Sequence, residues 1–226
     1  MSTMNENIEK RILVSSEDIR FRAIEKDGKR FIEGYAAVFN KRSKLIMEFG
    51  ELFYEELEKG SFDDVLRQNP DVYFSPNHSR DQLIARTTND TLTLKADKTG
   101  LFMRAEVPDV SYANDLYTLI ANETLFEMSF AFSVDPEGFR WSETDEGVPL
   151  RIITKVRNLV DVSVVTKGAY ADTTVAAREL KEHRDSSAET TVETENEEPE
   201  TVVEEEVEEP KNDTSEQDRM KMKIRI

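Results

Sequence analysis

The chain has 226 residues, no cysteine and a formal net charge of −17, from 30 Lys and Arg against 47 Asp and Glu. Such an acidic surface repels nucleic-acid phosphates and anionic lipid headgroups, and the lack of thiols excludes disulfides, thiolate metal sites and cysteine nucleophiles. No apolar run approaches the roughly 20 residues that span a bilayer, so we expect a soluble, intracellular protein that binds neither nucleic acid nor membrane.

Composition divides the chain into three regions. Residues 1–10 are polar and mixed in charge, which predicts a flexible N-terminus, whereas residues 11–180 carry the apolar and aromatic side chains of one domain. Residues 181–226 contain no aromatic residue, and residues 189–209 are nearly all Glu, Thr and Val. Such a stretch buries too little apolar surface to offset an ordering cost of roughly 1–2 kcal/mol per residue, so we predict a disordered acidic tail.

Apolar and polar residues alternate with a period of two along most of the domain, which is typical of strands. In chain order the patterns predict a strand at 29–40, a helix at 61–68, strands at 91–96 and 101–107, a helix at 111–122, and strands at 126–134, 150–156 and 159–166. Many short strands with few helices favour a β-rich α+β fold. We expect a single closed or partly closed, mainly antiparallel β-barrel with peripheral helices, because closure protects sheet edges.

Of the two histidines, only His78 lies within the predicted domain, since His183 falls at the start of the tail. His78 follows a strand-like run in which Pro76 must end ladder pairing, and this position suits an imidazole at the rim of a sheet. An exposed loop histidine and a catalytic base both fit these residues.

Ser129 lies in a run whose alternate residues are large and apolar. One face of the predicted strand carries Phe126, Met128, Phe130, Phe132 and Val134, and the other carries Glu127, Ser129, Ala131 and Ser133. The apolar face must pack in the core, so Ser129 projects from the opposite face of a firmly anchored strand, as a nucleophile requires. An ordinary outward-facing serine is the simpler interpretation of the pattern alone.

A carboxylate interrupts the valine-rich run at 159–166, where Asp161 and Ser163 share the face opposite Val160, Val162 and Val164. A carboxylate on a buried strand is costly unless it has a partner. That partner is either the Nδ1 proton of a histidine, as in a Ser-His-Asp triad, or a nearby Arg157 or Arg151 in a structural ion pair.

Together, Ser129, His78 and Asp161 permit acyl transfer, in which the histidine removes the serine proton and the alkoxide attacks a carbonyl. The chain has no Gly-x-Ser-x-Gly elbow, no glycine-rich phosphate loop and no set of metal ligands within the predicted domain. We therefore expect neither a cofactor nor a metal.

Eight short motifs follow one another in a fixed order. They are 34–40 (GYAAVFN), 55–62 (EELEKGSF), 77–78 (NH), 86–87 (RT), 91–94 (TLTL) with 99–101 (TGL), 113–116 (ANDL), 128–132 (MSFAF), and 161–166 (DVSVVT) leading to 169–170 (AY). In this order, over about residues 10–180, they resemble the prohead proteases of tailed bacteriophages. That family is similar in fold to the herpesvirus capsid maturation protease.

The resemblance implies a serine endopeptidase with His78 as base, Ser129 as nucleophile and Asp161, where the family commonly has Glu, as third member. It implies a role in the host cell cytoplasm, inside the immature capsid (the procapsid). There the enzyme would cleave the major capsid protein precursor, scaffold segments and the chain itself. A homodimer, as in the herpesvirus enzymes, is among the assemblies that this likeness allows.

Two other functions are alternatives to the protease. One is a non-catalytic acidic scaffold or capsid-assembly protein that retains the protease fold, and the remoter one is a DNA-mimicking inhibitor, which charge alone supports. The tail from Lys181 onward carries a hypothesis of its own: it directs the enzyme into the procapsid through basic scaffold segments and is later removed by Ser129. A solvated tail that only keeps the enzyme soluble is the alternative.

Overall fold

A computed structural model describes residues 8–12, 21–48 and 50–166. The strands are β1 (Glu9–Ile12), β2 (Arg22–Lys26), β3 (Lys29–Val38), β4 (Ile46–Glu48), β5 (Glu51–Leu57), β6 (Tyr73–Pro76), β7 (Ala85–Arg86), β8 (Leu92–Ala96), β9 (Gly100–Glu106), β10 (Glu127–Val134), β11 (Phe139–Glu143), β12 (Pro149–Ile153) and β13 (Val156–Val165). The helices are α1 (Asp63–Arg67) and α2 (Ser111–Ala121), and a 3-10 turn spans Thr87–Asn89. The predicted acidic tail lies outside the described residues.

The strands form where alternate side chains are apolar. In β9, Leu101, Met103 and Ala105 are fully buried while the residues between them are half-buried. Helix α2 follows the other period, since Ala113, Leu116 and Ile120 form one buried stripe that packs against β2. None of the helices in the described residues combines the length and apolar character that crossing a bilayer requires.

Hydrogen bonding arranges the described strands in three sheets. One has the order β1-β10-β13-β6-β7, the second β11-β12-β5-β4 and the third β2-β3-β9-β8. The β12–β5 and β13–β6 pairs are parallel and the others are antiparallel. The prediction of a β-rich, mainly antiparallel fold is therefore confirmed.

The predicted barrel is not what the structure shows. Over the described residues each sheet ends in two edge strands, and none closes on itself. The physical reason is that a period-two pattern records which face of a strand is buried but not which strand lies beside it. Three open sheets packed on a shared core bury the same alternating faces as a barrel does.

One apolar core contains side chains from all three sheets, including those of β10. Phe130 and Phe132 are buried there, and their rings lie 4.8 Å apart. The Phe130 ring also makes an edge contact with Phe62, at 5.9 Å between centroids. Such aromatic pairs add about 0.5–1.5 kcal/mol to area burial, so β10 is held firmly from this face.

Close backbone approach explains one glycine in the third sheet. A Cβ added to Gly100 would overlap the carbonyl oxygen of Ala37 and lie 2.9 Å from the Cα of Val38. We expect Gly100→Ala to lower the free energy of unfolding by about 3 kcal/mol, because both contacts are to backbone that cannot rotate away. Gly28→Ala, in an open turn at φ +74, should cost only about 1 kcal/mol. Urea unfolding of both variants measures the difference, and equal losses would contradict the prediction.

Four buried charges connect β1 to the second sheet. Arg11 donates from Nε to Glu55 at 2.6 Å and from Nη2 to Glu9 at 2.7 Å. Arg151, which is fully buried, donates from Nη1 to Glu9 at 2.8 Å and to Glu55 at 3.0 Å. We call these residues the ion cluster. Its two arginines and two glutamates balance, which is what makes burial of these charges tolerable.

The ion cluster corrects the predicted extent of the N-terminal region. Glu9 and Lys10 were expected in a flexible segment, and both lie in β1, which pairs with β10. Glu9 is 1% exposed because two arginines bond to it, and such pairing across the fold leaves no trace in local composition. Residues 1–7 are outside the described range.

The ion cluster also predicts how stability depends on pH. Burial alone would raise the pKa of Glu55, but Arg11 and Arg151 outweigh it, and the pKa lies below its ordinary value of 4.5. A carboxyl whose pKa falls on folding stabilises the protein above its unfolded pKa and loses that contribution as pH drops towards the folded pKa. We expect the urea concentration at the unfolding midpoint to decrease as the pH is lowered below about 4.5. The decrease should be less steep in Glu55→Gln. Parallel pH profiles for the two proteins would contradict this role for Glu55.

Candidate active site

The three candidate residues come from neighbouring strands of the five-stranded sheet. Ser129 lies on β10 and Asp161 lies on the adjacent β13, where it pairs in register with Ala131. On the other side of β13 lies β6, which ends at Pro76, two residues before His78. The strand order therefore brings together segments that are far apart in sequence.

Two short contacts join these side chains. His78 Nε2 lies 2.8 Å from Ser129 Oγ, across 51 positions of sequence. His78 Nδ1 lies 2.6 Å from Asp161 Oδ1, across 83 positions. A carboxylate is an acceptor only, so Nδ1 carries the proton in this pair and the lone pair of Nε2 accepts the serine hydroxyl. All three predicted site residues are thus in one hydrogen-bonded row.

A tight turn presents His78 to the two strands. Ser79 donates its backbone N–H to the carbonyl of Pro76 at 2.9 Å, and the central residues Asn77 and His78 have φ values of 49 and 58. Two successive positive φ values define a type I′ turn, in which Gly, Asn and Asp predominate. The Asn77 side-chain oxygen accepts the backbone N–H of Thr166 at 3.1 Å and so ties the turn to the end of β13.

The site is largely closed to water. Ser129 and Asp161 are each 2% exposed, and the His78 side chain is 11% exposed. Ser129 does lie on the face opposite the phenylalanines, as its pattern predicts, but that face is covered rather than open. In such surroundings hydrogen bonds are stronger than in water, which keeps the row in one arrangement.

The two arginines that the sequence offers as partners of Asp161 have other environments in the structure. Arg151 bonds to Glu9 and Glu55 in the ion cluster, and Arg157 is exposed on β13. The group that contacts the Asp161 carboxylate from outside β13 is the imidazole of His78.

Two residues near the site received no role from the sequence. Asn77 orients the turn, and an asparagine directly after a proline at a strand end could have indicated this, because Asn tolerates the left-handed conformation that such turns require. Ser75 lies next to Ser163 inside the sheet, at 3.4 Å between hydroxyl oxygens. Nothing in its local pattern reveals that contact, because it depends on β6 lying beside β13.

One family of known proteins matches the sequence of this chain. The model of the caudovirus prohead serine protease family matches residues 17–186. A search of curated proteins finds no match. Among solved structures, the bacteriophage T4 capsid assembly protease, gp21, is similar with 13% sequence identity and a TM-score of 0.43, over 70% of this chain and 98% of that chain. Since the family model spans well over half of its residues, the chain belongs to the caudovirus prohead serine protease family.

Proposed function

We propose that the chain is a serine endopeptidase that cleaves capsid and scaffold precursor proteins, and itself, while the procapsid matures. Ser129 is the nucleophile, His78 the general base and acid, and Asp161 the group that orients the imidazole. The observation that carries the proposal is the continuous row from hydroxyl to imidazole to carboxylate, with spacings of 2.8 and 2.6 Å. Membership of the prohead serine protease family supports it.

The geometry leads to a two-stage reaction. His78 takes the hydroxyl proton of Ser129 at Nε2 while Oγ attacks the peptide carbonyl, and the negative Asp161 stabilises the imidazolium that forms. His78 then gives that proton to the departing amine nitrogen, the C–N bond breaks, and an ester to Ser129 remains. Water, deprotonated by His78, then attacks the ester carbonyl. The bond to Ser129 Oγ breaks, His78 returns the proton to Oγ, and the new carboxyl end is released.

An aspartate suffices as third member in this fold. The Asp161 carboxylate is shorter by one methylene than the glutamate commonly found at this position in the family. Its Oδ1 nevertheless lies 2.6 Å from His78 Nδ1, since the turn at Asn77 brings the imidazole over β13.

The family indicates where the enzyme acts and on what. We place it inside the procapsid in the host cell, where the capsid protein precursor and scaffold are concentrated around it. A protease made among its own substrates needs this confinement to restrict cutting to assembled particles.

Co-expression with the capsid protein precursor of the same phage tests the proposed function. We expect mass spectrometry to find precursor fragments with the active chain and intact precursor with Ser129→Ala. Ser133→Ala is a matched control, because Ser133 is another buried serine of β10 and contacts Asn158 rather than His78. Intact precursor in every case, or equal cleavage by Ser129→Ala, would refute the proposal and favour a non-catalytic assembly protein.

A further inference from the structure

Three buried serines form a row across the centre of the five-stranded sheet. Ser129 on β10 pairs in register with Ser163 on β13, which pairs in register with Ser75 on β6. Register partners project to the same face, so the three hydroxyls lie side by side. Ser163 and Ser75 are fully buried, and a buried hydroxyl is costly unless it is hydrogen-bonded.

The second and third serines are bonded into the candidate active site. Ser163 Oγ donates to Asp161 Oδ1 at 2.8 Å. The same carboxylate oxygen faces His78 Nδ1 at 2.6 Å. Because the only proton of Ser163 is used on the carboxylate, the contact at 3.4 Å with Ser75 requires that Ser75 donate to Ser163. The hydrogen bonds run from Ser75 to Ser163 to Asp161, and from His78 to the same oxygen.

An aspartate at this position needs a second hydrogen-bond donor to hold its carboxylate in one orientation. The final torsion of an aspartate side chain is broad and weakly held, so one contact with His78 does not fix the orientation of the carboxylate plane. A second donor on Oδ1, from a hydroxyl on the same rigid strand, removes that freedom. Positioning of this kind, by groups behind the reacting ones, is what keeps a site within a fraction of an ångström of its productive geometry.

We propose that Ser163, supported by Ser75, is a positioning residue that fixes the orientation of the Asp161 carboxylate towards His78. The inference rests on the proposed function for its catalytic consequence, but its structural content concerns only the contact between Asp161 and His78. The hydrogen bonds of the two serines described here run to Asp161 and to each other rather than to Ser129 Oγ or His78 Nε2.

Phosphonylation by a fluorophosphonate, a probe that reacts with activated serines, gives the kinetic test. We expect Ser163→Ala to lower the maximum rate of labelling about tenfold while the half-saturating probe concentration stays within about twofold, because a hydrogen bond to a charged group is lost behind the site. Ser75→Ala should lower the maximum rate by about twofold to threefold, since it loses only the long contact. The control Ser133→Ala should stay within about twofold of the parent. If Ser163→Ala does not fold, Ser163→Cys takes its place and keeps a weaker donor to Asp161. Its maximum labelling rate should lie between that of the parent and the roughly tenfold lower rate expected for Ser163→Ala.

Proton NMR tests the same inference without any reaction. The chain has two histidines, so in a His183→Gln background the low-field Nδ1 proton belongs to His78. We expect Ser163→Ala to shift or broaden this signal, and Ser133→Ala to leave it unchanged. An unchanged signal together with an unchanged labelling rate in Ser163→Ala would overturn the inference. Failure of the parent chain to label at Ser129 would instead refute the proposed function, and the NMR signal would still decide the role of Ser163.

Discussion

Ser129→Ala is expected to lower the rate of peptide-bond hydrolysis by about 10⁴–10⁶-fold while the chain remains folded. The variant loses the oxygen that lies 2.8 Å from His78 Nε2, so no ester can form and only positioning effects on water remain. Within the described part of the chain the hydroxyl is hydrogen-bonded to the imidazole, and alanine is smaller than serine, so it introduces no new clash. Turnover of the capsid protein precursor, followed by mass spectrometry, measures the loss.

His78→Ala should be nearly as severe, and the double variant should be no worse than either single one. Groups that act as one unit give losses of this non-additive kind, because removing one member already ends the shared step. Additive losses would show that the two residues act in separate steps. That result would contradict the prediction that Ser129 and His78 act together in one step.

Arg151→Met is expected to lower the free energy of unfolding by about 3–5 kcal/mol. Arg151 is fully buried and holds both Glu9 and Glu55, so the variant leaves two carboxylates in the interior with Arg11 alone to balance them. Part of the cost is the release of β1 from the second sheet. Urea unfolding at neutral pH gives the value.

Arg140→Met is a matched control for this variant. Arg140 lies on β11, the strand next to β12, and pairs with Glu58, but its side chain is 54% exposed. An exposed pair is worth about 1 kcal/mol or less, so the control should unfold close to the parent. Equal losses in the two variants would show that burial of the ion cluster does not matter to stability.

Arg151→Met should also slow fluorophosphonate labelling, because Ile12 of β1 is the register partner of Ser129.

The elements that the sequence predicts well bury one clear apolar face. The strand predicted at 29–40 is β3 (Lys29–Val38), that at 101–107 is β9 (Gly100–Glu106), and the helix predicted at 111–122 is α2 (Ser111–Ala121). In each, the period of the apolar residues matches the period of the observed burial, so existence and bounds both follow from local pattern.

Two of the strands that sequence analysis misses have charged residues turned inwards. Strand β5 buries Glu55 between Phe53 and Leu57, and β1 buries Glu9 and Arg11, so the inward face of each contains charge. A charged residue at an inward position breaks the alternation that identifies a strand. These positions are acceptable only because partners arrive from other sheets, and local pattern does not contain that information.

The candidate site shows the same division between local and non-local information. The pattern predicts that Ser129 lies opposite the apolar face of its strand and that Asp161 and Ser163 share a face. It leaves the partner of Asp161 open between a histidine and an arginine, since the choice depends on β6 lying beside β13. Resemblance to a family, rather than periodicity, is what links His78 to Ser129 before the strand order is known.

Mapping the fluorophosphonate adduct tests most directly whether His78 activates Ser129. Trypsin releases residues 105–140 as one peptide, which contains Ser111, Ser129 and Ser133, and tandem mass spectrometry distinguishes the three. We predict one adduct per chain, on Ser129, formed by the parent and absent from His78→Ala. Labelling spread over several serines, or labelling of Ser129 that survives the loss of His78, would contradict the catalytic role of this pair.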